Sequence, residues 1–126
     1  MDKINKKILI VEDDKDFLLI LRHSFADQPF SIVYAESGEE GLNLAKKEQP
    51  DLIIIDIILP KMNGIDMAKK IREEGIKSKI IFLTNLKDIE HIGEAIDAVG
   101  EADYIVKSDV HMDAIVSRVR DHLKVE

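Results

Sequence analysis

The chain of 126 residues contains no cysteine and no tryptophan, and only three prolines and six glycines. Without cysteine, disulfides and thiolate metal sites are excluded, and an intracellular address is permitted. No apolar stretch approaches the roughly 18 residues that indicate a membrane span, and no signal-like segment precedes the first apolar run. We therefore expect a cytoplasmic protein without membrane insertion.

Basic residues are the minority among the charged side chains, with 18 Lys and Arg against 25 Asp and Glu and a formal net charge of −7. This balance works against direct binding to nucleic acid. The pairs Lys46-Lys47 and Lys69-Lys70 are too short to mark such binding. A chain of this length fits one domain of about 100–150 residues, so we expect a single domain over residues 1–126.

Short apolar runs alternate with amphipathic segments along the chain. Five strands are predicted at residues 8–11, 30–35, 52–55, 80–83 and 103–106. The runs lack polar alternation, which indicates strands buried on both faces, as in a parallel sheet covered by helices. Helical spacing is clearest over about 15–27 and 109–123, and three shorter helical segments lie between the strands. The pattern predicts an α/β fold, a doubly wound (βα)5 sandwich with a five-stranded parallel sheet.

Turn and capping residues support these boundaries. Pro50, Gly75 and Gly100 lie where connections between elements should turn. Ser37, followed by Glu40 three residues later, fits a capping box at the start of the second helix.

Acidic residues follow two of the predicted strands. Glu12, Asp13 and Asp14 come after the first strand, and Asp56 comes after the third. Parallel strands end at one edge of a sheet, so these acids should meet there. Two carboxylates about 4 Å apart repel by roughly 4 kcal/mol at an effective dielectric of about 20, and a bound Mg²⁺ would relieve this. Asp14 is better explained as a helix N-cap.

Two further residues complete a recognisable arrangement, because Thr84 follows the fourth strand and Lys107 follows the fifth. Together with the acids they resemble the receiver domain of two-component response regulators, over roughly residues 6–124. The resemblance implies the flavodoxin-like strand order 2-1-3-4-5. It also implies a phosphoacceptor switch in a two-component or phosphorelay system, which assists its own phosphorylation without being a turnover enzyme.

The resemblance assigns ligand and acceptor roles to individual residues. Asp56 would be the phosphoacceptor and also a metal ligand. Asp13 would be the main Mg²⁺ ligand, with Glu12 beside it acting directly or through water. The backbone carbonyl of Ile58 would complete the protein ligands.

Three residues would respond to phosphorylation. Lys107 would pair with Asp56 and then with a phosphoryl oxygen, and Thr84 would donate its hydroxyl to another. Tyr104 would turn inward into the space that Thr84 leaves. The surface formed by helix four, strand five and helix five would change as a result.

The resemblance also implies partners. A sensor histidine kinase or a histidine phosphotransfer protein would donate the phosphoryl group, and an unknown protein would receive the signal. A phosphorylation-dependent dimer is left open. Because only three residues follow the last predicted helix, output would pass through a partner or an oligomer, unless the chain is part of a longer protein.

The sequence departs from the family pattern at two residues, one after the lysine and one after the threonine. Ser108 stands where the family usually has a proline joined by a cis bond, and we expect a trans bond with Ser108 or Asp109 capping helix five. Asn85 is larger than the residue usual after the threonine. Ile58 and Leu86 are apolar, and we expect them to hinder the attacking water and slow dephosphorylation.

The sequence leaves two alternative functions open. A magnesium-dependent phosphohydrolase with an aspartyl nucleophile commonly has a second acid two residues after the nucleophile, where this chain has Ile58. A pseudo-receiver, a binding module that is never phosphorylated, is disfavoured by the intact acids, Thr84 and Lys107. The four histidines are expected to be solvated on polar helix faces. Those are His23, His91, His111 and His122.

Overall fold

Strands and helices alternate along the chain in the computed structural model, which describes residues 6–85, 90–100, 102–109 and 111–124. The strands are β1 (Lys6–Val11), β2 (Phe30–Ala35), β3 (Leu52–Asp56), β4 (Lys79–Thr84) and β5 (Asp103–Val106). The helices are α1 (Lys15–Ser24), α2 (Gly38–Glu48), α3 (Gly64–Glu73), α4 (Ile92–Val99) and α5 (Met112–Leu123). A 3₁₀ turn over Lys107–Asp109 connects β5 to α5.

The five strands form one parallel sheet in the order β2-β1-β3-β4-β5, with β2 and β5 at the edges. Every residue of β3 is buried, and so are the last four residues of β1. Runs of isoleucine and leucine suit this position, because a central strand of a parallel sheet has no solvent face. The predicted fold class and the strand order are confirmed.

Side chains alternate between two apolar cores, one on each face of the sheet. Leu9 and Ile53 belong to the core beneath α2, α3 and α4, whereas Ile8 and Ile54 belong to the core beneath α1 and α5. This two-sided burial leaves the ends of the strands as the parts of the sheet that helices do not cover. No helix among the described residues is long and apolar enough to span a bilayer.

The helix starts and the turns follow local sequence signals. Asp14 caps α1 by accepting hydrogen bonds from the backbone N–H groups of Asp16 and Phe17. Ser37 caps α2 by accepting from the N–H of Glu40, whereas the Glu40 carboxylate accepts from the N–H of Glu36 instead of closing the capping box on Ser37.

The predicted turns are also confirmed. Gly75 and Gly100 follow α3 and α4 with φ of 79° and 85°, a region that glycine adopts without strain.

The helix ends differ from the sequence predictions in two places, the end of α1 and the start of α5. α1 ends at Ser24, because residues 25–27 form a turn. α5 begins at Met112 with His111 as its N-cap and no capping side chain, so the prediction that Ser108 or Asp109 would cap it was wrong. The chain continues from β5 into the 3₁₀ turn, which delays the helix.

The peptide bond between Lys107 and Ser108 is trans, as expected, and no cis bond occurs in the described ranges. Leu86 lies outside those ranges.

Candidate functional site

Glu12 and Asp13, which follow β1, meet Asp56, the last residue of β3, because these strands are neighbours that run in parallel, with Val11 level with Ile55. One carboxylate oxygen from each of Glu12, Asp13 and Asp56 lies within 4.8 Å of the others. Glu12 and Asp56 are buried, whereas Asp13 faces solvent. The predicted acidic cluster is therefore present at the carboxyl edge of the sheet, and it is open on the Asp13 side.

Asp56 is held by one contact on each carboxylate oxygen. Its Oδ1 accepts a hydrogen bond of 3.0 Å from the N–H of Ile58, and its Oδ2 accepts one of 2.7 Å from Nζ of Lys107. The start of α3 packs directly against this strand end: a Cβ on Gly64 would overlap the Asp56 carbonyl oxygen. Glycine at residue 64 thus lets the helix begin beside the acid.

Lys107 brings a positive charge to two of the acids. Its Nζ lies 2.7 Å from Oε1 of Glu12 and 2.7 Å from Oδ2 of Asp56. Burial by itself lowers the pKa of Lys107, but the contacts with Asp56 and Glu12 outweigh burial and raise it. The lysine therefore carries its charge at neutral pH.

Glu12 occupies the most buried position of the cluster, with its residue 0% exposed. Burial, followed by the neighbouring Asp56 carboxyl, raises the pKa of Glu12 to about 7, against the opposing effect of Lys107. Its Oε1 makes the ion pair with Lys107 but accepts no well-directed hydrogen bond from any described residue. The single positive charge of Lys107 does not balance the negative charges of the three neighbouring carboxylates.

This donor set fits a hard divalent cation. Three carboxylates within reach of one another, two of them buried, offer the oxygen ligands that Mg²⁺ prefers. An exposed acid on one side leaves room for water and for a phosphate oxygen in the remaining coordination positions. Glu12, Asp13 and Asp56 are thus the residues that could hold a metal ion.

Thr84 lies on β4, next to the strand that carries Asp56, and Tyr104 lies on β5, one strand further from the acids. Thr84 is buried at the end of β4, where its neighbour Leu83 pairs with Asp56, and its hydroxyl donates to the carbonyl of Asn85 at 3.0 Å. The hydroxyl is therefore directed to this carbonyl and not to the acids. Tyr104 lies on β5 and is 37% exposed, so it is not buried in the core.

The histidines lie outside the acidic cluster, and one of them is not simply solvated. His122 on α5 is half-buried and its Nε2 lies 2.9 Å from Oδ2 of Asp103. Arg118 donates to the same carboxylate and, through Nη2, to the backbone oxygen of Tyr104. Burial works against ionisation of Asp103, but hydrogen bonds from Arg118 and His122 prevail and lower its pKa.

Two residues near the acids were not given a role by the sequence. The role of Gly64 could have been predicted from the sequence, because Gly64 lies at the end of the loop that follows Asp56 and is the first residue of α3. Phe17 could not: its ring lies beneath Nζ of Lys107, with 4.6 Å between the nitrogen and the ring centroid, and no spacing rule connects these residues.

The fold and the site together define an α/β protein with an acidic, lysine-paired site at the carboxyl edge of a doubly wound parallel sheet. The model of the response regulator receiver domain family matches residues 8–120. The chain belongs to that family, whose members are signalling modules of two-component systems that histidine kinases phosphorylate.

Relatives and solved structures agree with this assignment. The chain is 36% identical over 104 residues to the alkaline phosphatase synthesis transcriptional regulatory protein PhoP of Bacillus subtilis, covering 82% of the chain and 43% of PhoP. It is 33% identical over 114 residues to the transcriptional regulatory protein DltR of Streptococcus agalactiae, covering 90% of the chain and 50% of DltR. The chain thus spans about half the length of these relatives.

Among solved structures, the receiver domain of Francisella response regulator 1452 superposes with a TM-score of 0.85 at 29% identity, covering 95% of this chain and 98% of that one. A CheY-like receiver domain protein from Methanospirillum hungatei gives a TM-score of 0.86 at 26% identity, covering 96% and 95%. The backbone that carries the acids is therefore the receiver fold.

Proposed function

We propose that residues 1–126 act as one receiver domain whose phosphoacceptor is Asp56. The observation that carries this proposal is the pairing of Asp56 with Lys107 at 2.7 Å inside a cluster of three carboxylates. Phosphoryl transfer needs little beyond positioning and neutralisation of charge on the equatorial oxygens, which an ammonium group and a divalent cation supply.

In the proposed reaction, a carboxylate oxygen of Asp56 attacks the phosphorus of a phosphohistidine on a kinase or phosphotransfer protein. The new bond joins this oxygen to phosphorus, the bond between phosphorus and the imidazole nitrogen breaks, and its electron pair stays with the departing imidazole. Lys107 would move from the carboxylate to a phosphoryl oxygen. Asp56 lies far enough into the site to exclude bulk water, yet one side remains open beside Asp13.

Magnesium would be held by Glu12, Asp13 and Asp56, with the backbone carbonyl of Ile58 as a fourth protein ligand. When bound, Mg²⁺ offsets the mutual repulsion of the carboxylates and the charge of the incoming phosphoryl group. The presence of three carboxylates beside a single lysine charge supports this assignment. Glu12 contributes directly or through a water molecule.

The signal would leave through the surface of α4, β5 and α5. A phosphoryl group brings about −1.5 to −2 charges and three acceptor oxygens, which attract the Thr84 hydroxyl away from the Asn85 carbonyl. Tyr104 would then turn from its exposed position into the space left by Thr84. Two adjacent strands, β4 and β5, carry these residues, so the change at the acids reaches the surface over a short path.

The output partner is proposed to be a protein. The names of PhoP and DltR describe transcriptional regulation, but the matched region covers 43% and 50% of those proteins, so their activity is not transferred to this domain. An acidic domain with a net charge of −7 fits signalling by protein contact, including dimer formation on phosphorylation, better than direct contact with DNA.

The decisive experiment treats the protein with acetyl phosphate and Mg²⁺ and measures intact mass. We expect wild type to gain one phosphoryl group and Asp56→Asn to gain none. The matched control is Asp51→Asn. Asp51 is an exposed acid immediately before the first residue of β3, at the other end of the strand from Asp56, so its replacement should leave phosphorylation intact. A wild-type protein that gains no mass would favour a pseudo-receiver.

A second arm tests the enzyme alternative. Steady release of phosphate from a small phosphomonoester, in amounts well above the protein concentration, would favour a phosphohydrolase. The exposed, uncharged Ile58 two residues after Asp56 offers no carboxyl group to activate a leaving group or a water molecule, so we expect no such turnover.

A further inference from the structure

We infer that Phe17 is a positioning residue that holds the ammonium group of Lys107 over the acidic site, an inference that rests on the proposed function of Asp56 as phosphoacceptor. The Phe17 ring lies on α1, while Lys107 lies after β5, so the contact joins two elements that are far apart in sequence. Its ring centroid is 4.6 Å from Nζ of Lys107. This distance is within the range for attraction between a cation and the face of an aromatic ring.

The ring completes the surroundings of the lysine. An ammonium group has three N–H bonds, and two carboxylates, Glu12 and Asp56, each lie 2.7 Å from Nζ. The ring face, which carries partial negative charge, covers another side of the same nitrogen. Lys107 is thus surrounded on several sides by groups that attract a cation, with its side chain only 14% exposed.

The local structure of α1 directs the ring to this place. Asp14 is the N-cap, and its Oδ1 accepts a hydrogen bond of 3.2 Å from the N–H of Phe17. The cap fixes Phe17 in the first turn of α1, just after the acidic loop that follows β1. Part of the ring also packs against the core that contains Leu18 and Leu21. The helix cap and the contact with the apolar core therefore both hold the Phe17 ring in the position from which it contacts Lys107.

A role in phosphorylation follows from what Lys107 must do. In the proposed reaction the ammonium group leaves the Asp56 carboxylate and follows a phosphoryl oxygen, so that its contact with Asp56 is lost. The ring contact does not depend on either carboxylate and can persist through this movement. Phe17 would thereby limit the positions open to a long, flexible side chain and keep its charge near the transferred group.

The kinetic test is a double-mutant cycle on the full chain, with phosphorylation by acetyl phosphate and Mg²⁺ followed by intact mass. We expect Phe17→Leu to lower the phosphorylation rate constant about fivefold, equivalent to about 1 kcal/mol. Phe17→Tyr keeps the aromatic face and should keep the wild-type rate. In a Lys107→Gln background, Phe17→Leu should cause no further loss.

Phe30→Leu is the matched control, because Phe30 is another half-buried phenylalanine packed against the same apolar core as Phe17. It should leave the rate unchanged. Equal losses in Phe17→Leu and Phe30→Leu, or an undiminished loss in the Lys107→Gln background, would overturn the inference.

A spectroscopic readout separates this inference from the proposed function. In proton NMR spectra without metal or phosphodonor, the ε-methylene protons of Lys107 should be shifted upfield by the Phe17 ring. The shift should vanish in Phe17→Leu and persist in Phe17→Tyr and Phe30→Leu. If wild type gains no phosphoryl group, the proposed function fails; if the methylene resonance is the same in Phe17→Leu, the positioning role fails.

Discussion

Gly64 lies against Asp56 so closely that a Cβ at residue 64 would overlap the Asp56 carbonyl oxygen and lie 2.9 Å from its carbonyl carbon. There is therefore no room for a side chain on Gly64, the first residue of α3, where it contacts the backbone of Asp56, the last residue of β3. Because this space adjoins the acidic cluster, the identity of residue 64 controls both the packing of α3 and the position of the Asp56 carboxylate.

Replacing this glycine should be costly. We expect Gly64→Ala to lower the free energy of unfolding by about 1–3 kcal/mol, because the backbone of Asp56 must move away from the new methyl group. Urea denaturation at constant pH measures the effect. Gly93→Ala is the control: Gly93 lies in α4, and a methyl group there would meet no heavy atom within 4 Å, so alanine should stabilise the protein by about 0.5–1 kcal/mol. Equal stability of the two variants would contradict the packing argument.

Metal binding should raise thermal stability. At a free Mg²⁺ concentration ten times its dissociation constant, binding to the folded state alone adds about 1.4 kcal/mol, so the Tm of wild type should exceed its value in EDTA by a few degrees. Asp13→Asn should abolish the increase. Asp14→Asn should preserve it, because Asp14 caps α1 and asparagine caps equally well. A Tm increase that survives Asp13→Asn would place the ion elsewhere.

Ile58 should protect the acyl phosphate from water. Its side chain is 50% exposed two residues after Asp56, where it presents an apolar surface at the site. We expect Ile58→Asn to speed decay of the phosphorylated protein about tenfold, since one amide hydrogen bond to the attacking water is worth roughly 1.4 kcal/mol. Ile20→Asn, on α1 and 46% exposed, makes the same exchange elsewhere and should leave the half-life unchanged. Identical half-lives for all three proteins would count against the shielding role.

The ion pairs around Asp103 should make stability depend on pH. Hydrogen bonds from Arg118 and His122 lower the pKa of Asp103 in the folded state despite burial. A carboxyl whose pKa is lower in the folded state stabilises the fold above its unfolded value of about 3.9, and this contribution disappears as pH falls through the folded value. We therefore expect Asp103→Asn to cost about 1 kcal/mol at pH 6 and progressively less as the pH falls below about 4.

The measurement is a series of urea denaturation curves for wild type and Asp103→Asn at several pH values. Asp97→Asn, an exposed acid on α4, serves as the control and should show little difference from wild type throughout. A cost of Asp103→Asn that stays constant down to pH 2.5 would show that charge at this residue is not the cause.

The fold could be predicted because its strands are encoded by continuous apolar runs. Ile53, Ile54 and Ile55 allow no solvent-facing side of β3, and this limits the choice to a sheet covered on both faces. The acidic cluster followed from the same pattern, since acids directly after parallel strands must share an edge. The strand order rested on the family resemblance and was confirmed by the pairing of the strands.

Other features depend on tertiary contacts that a local pattern does not contain. His122 lies on the polar side of α5, but only the packing of α5 against β5 reveals its contact with Asp103. The start of α5 was misplaced because the chain forms a 3₁₀ turn after Lys107 before the helix begins. The contact between Phe17 and Lys107 could not be predicted for a related reason. The two residues meet only in the folded structure, where the first turn of α1 lies beside the end of β5.

The open edge of the sheet at β5 is only four residues long, and Arg118 already donates to the backbone oxygen of Tyr104 there. A foreign peptide that joined the sheet as a sixth strand would have to displace this guanidinium and would gain few ladder hydrogen bonds in exchange. Recognition of this side of the domain should therefore proceed through side chains, with no strand exchange and little tendency to form intermolecular β-structure.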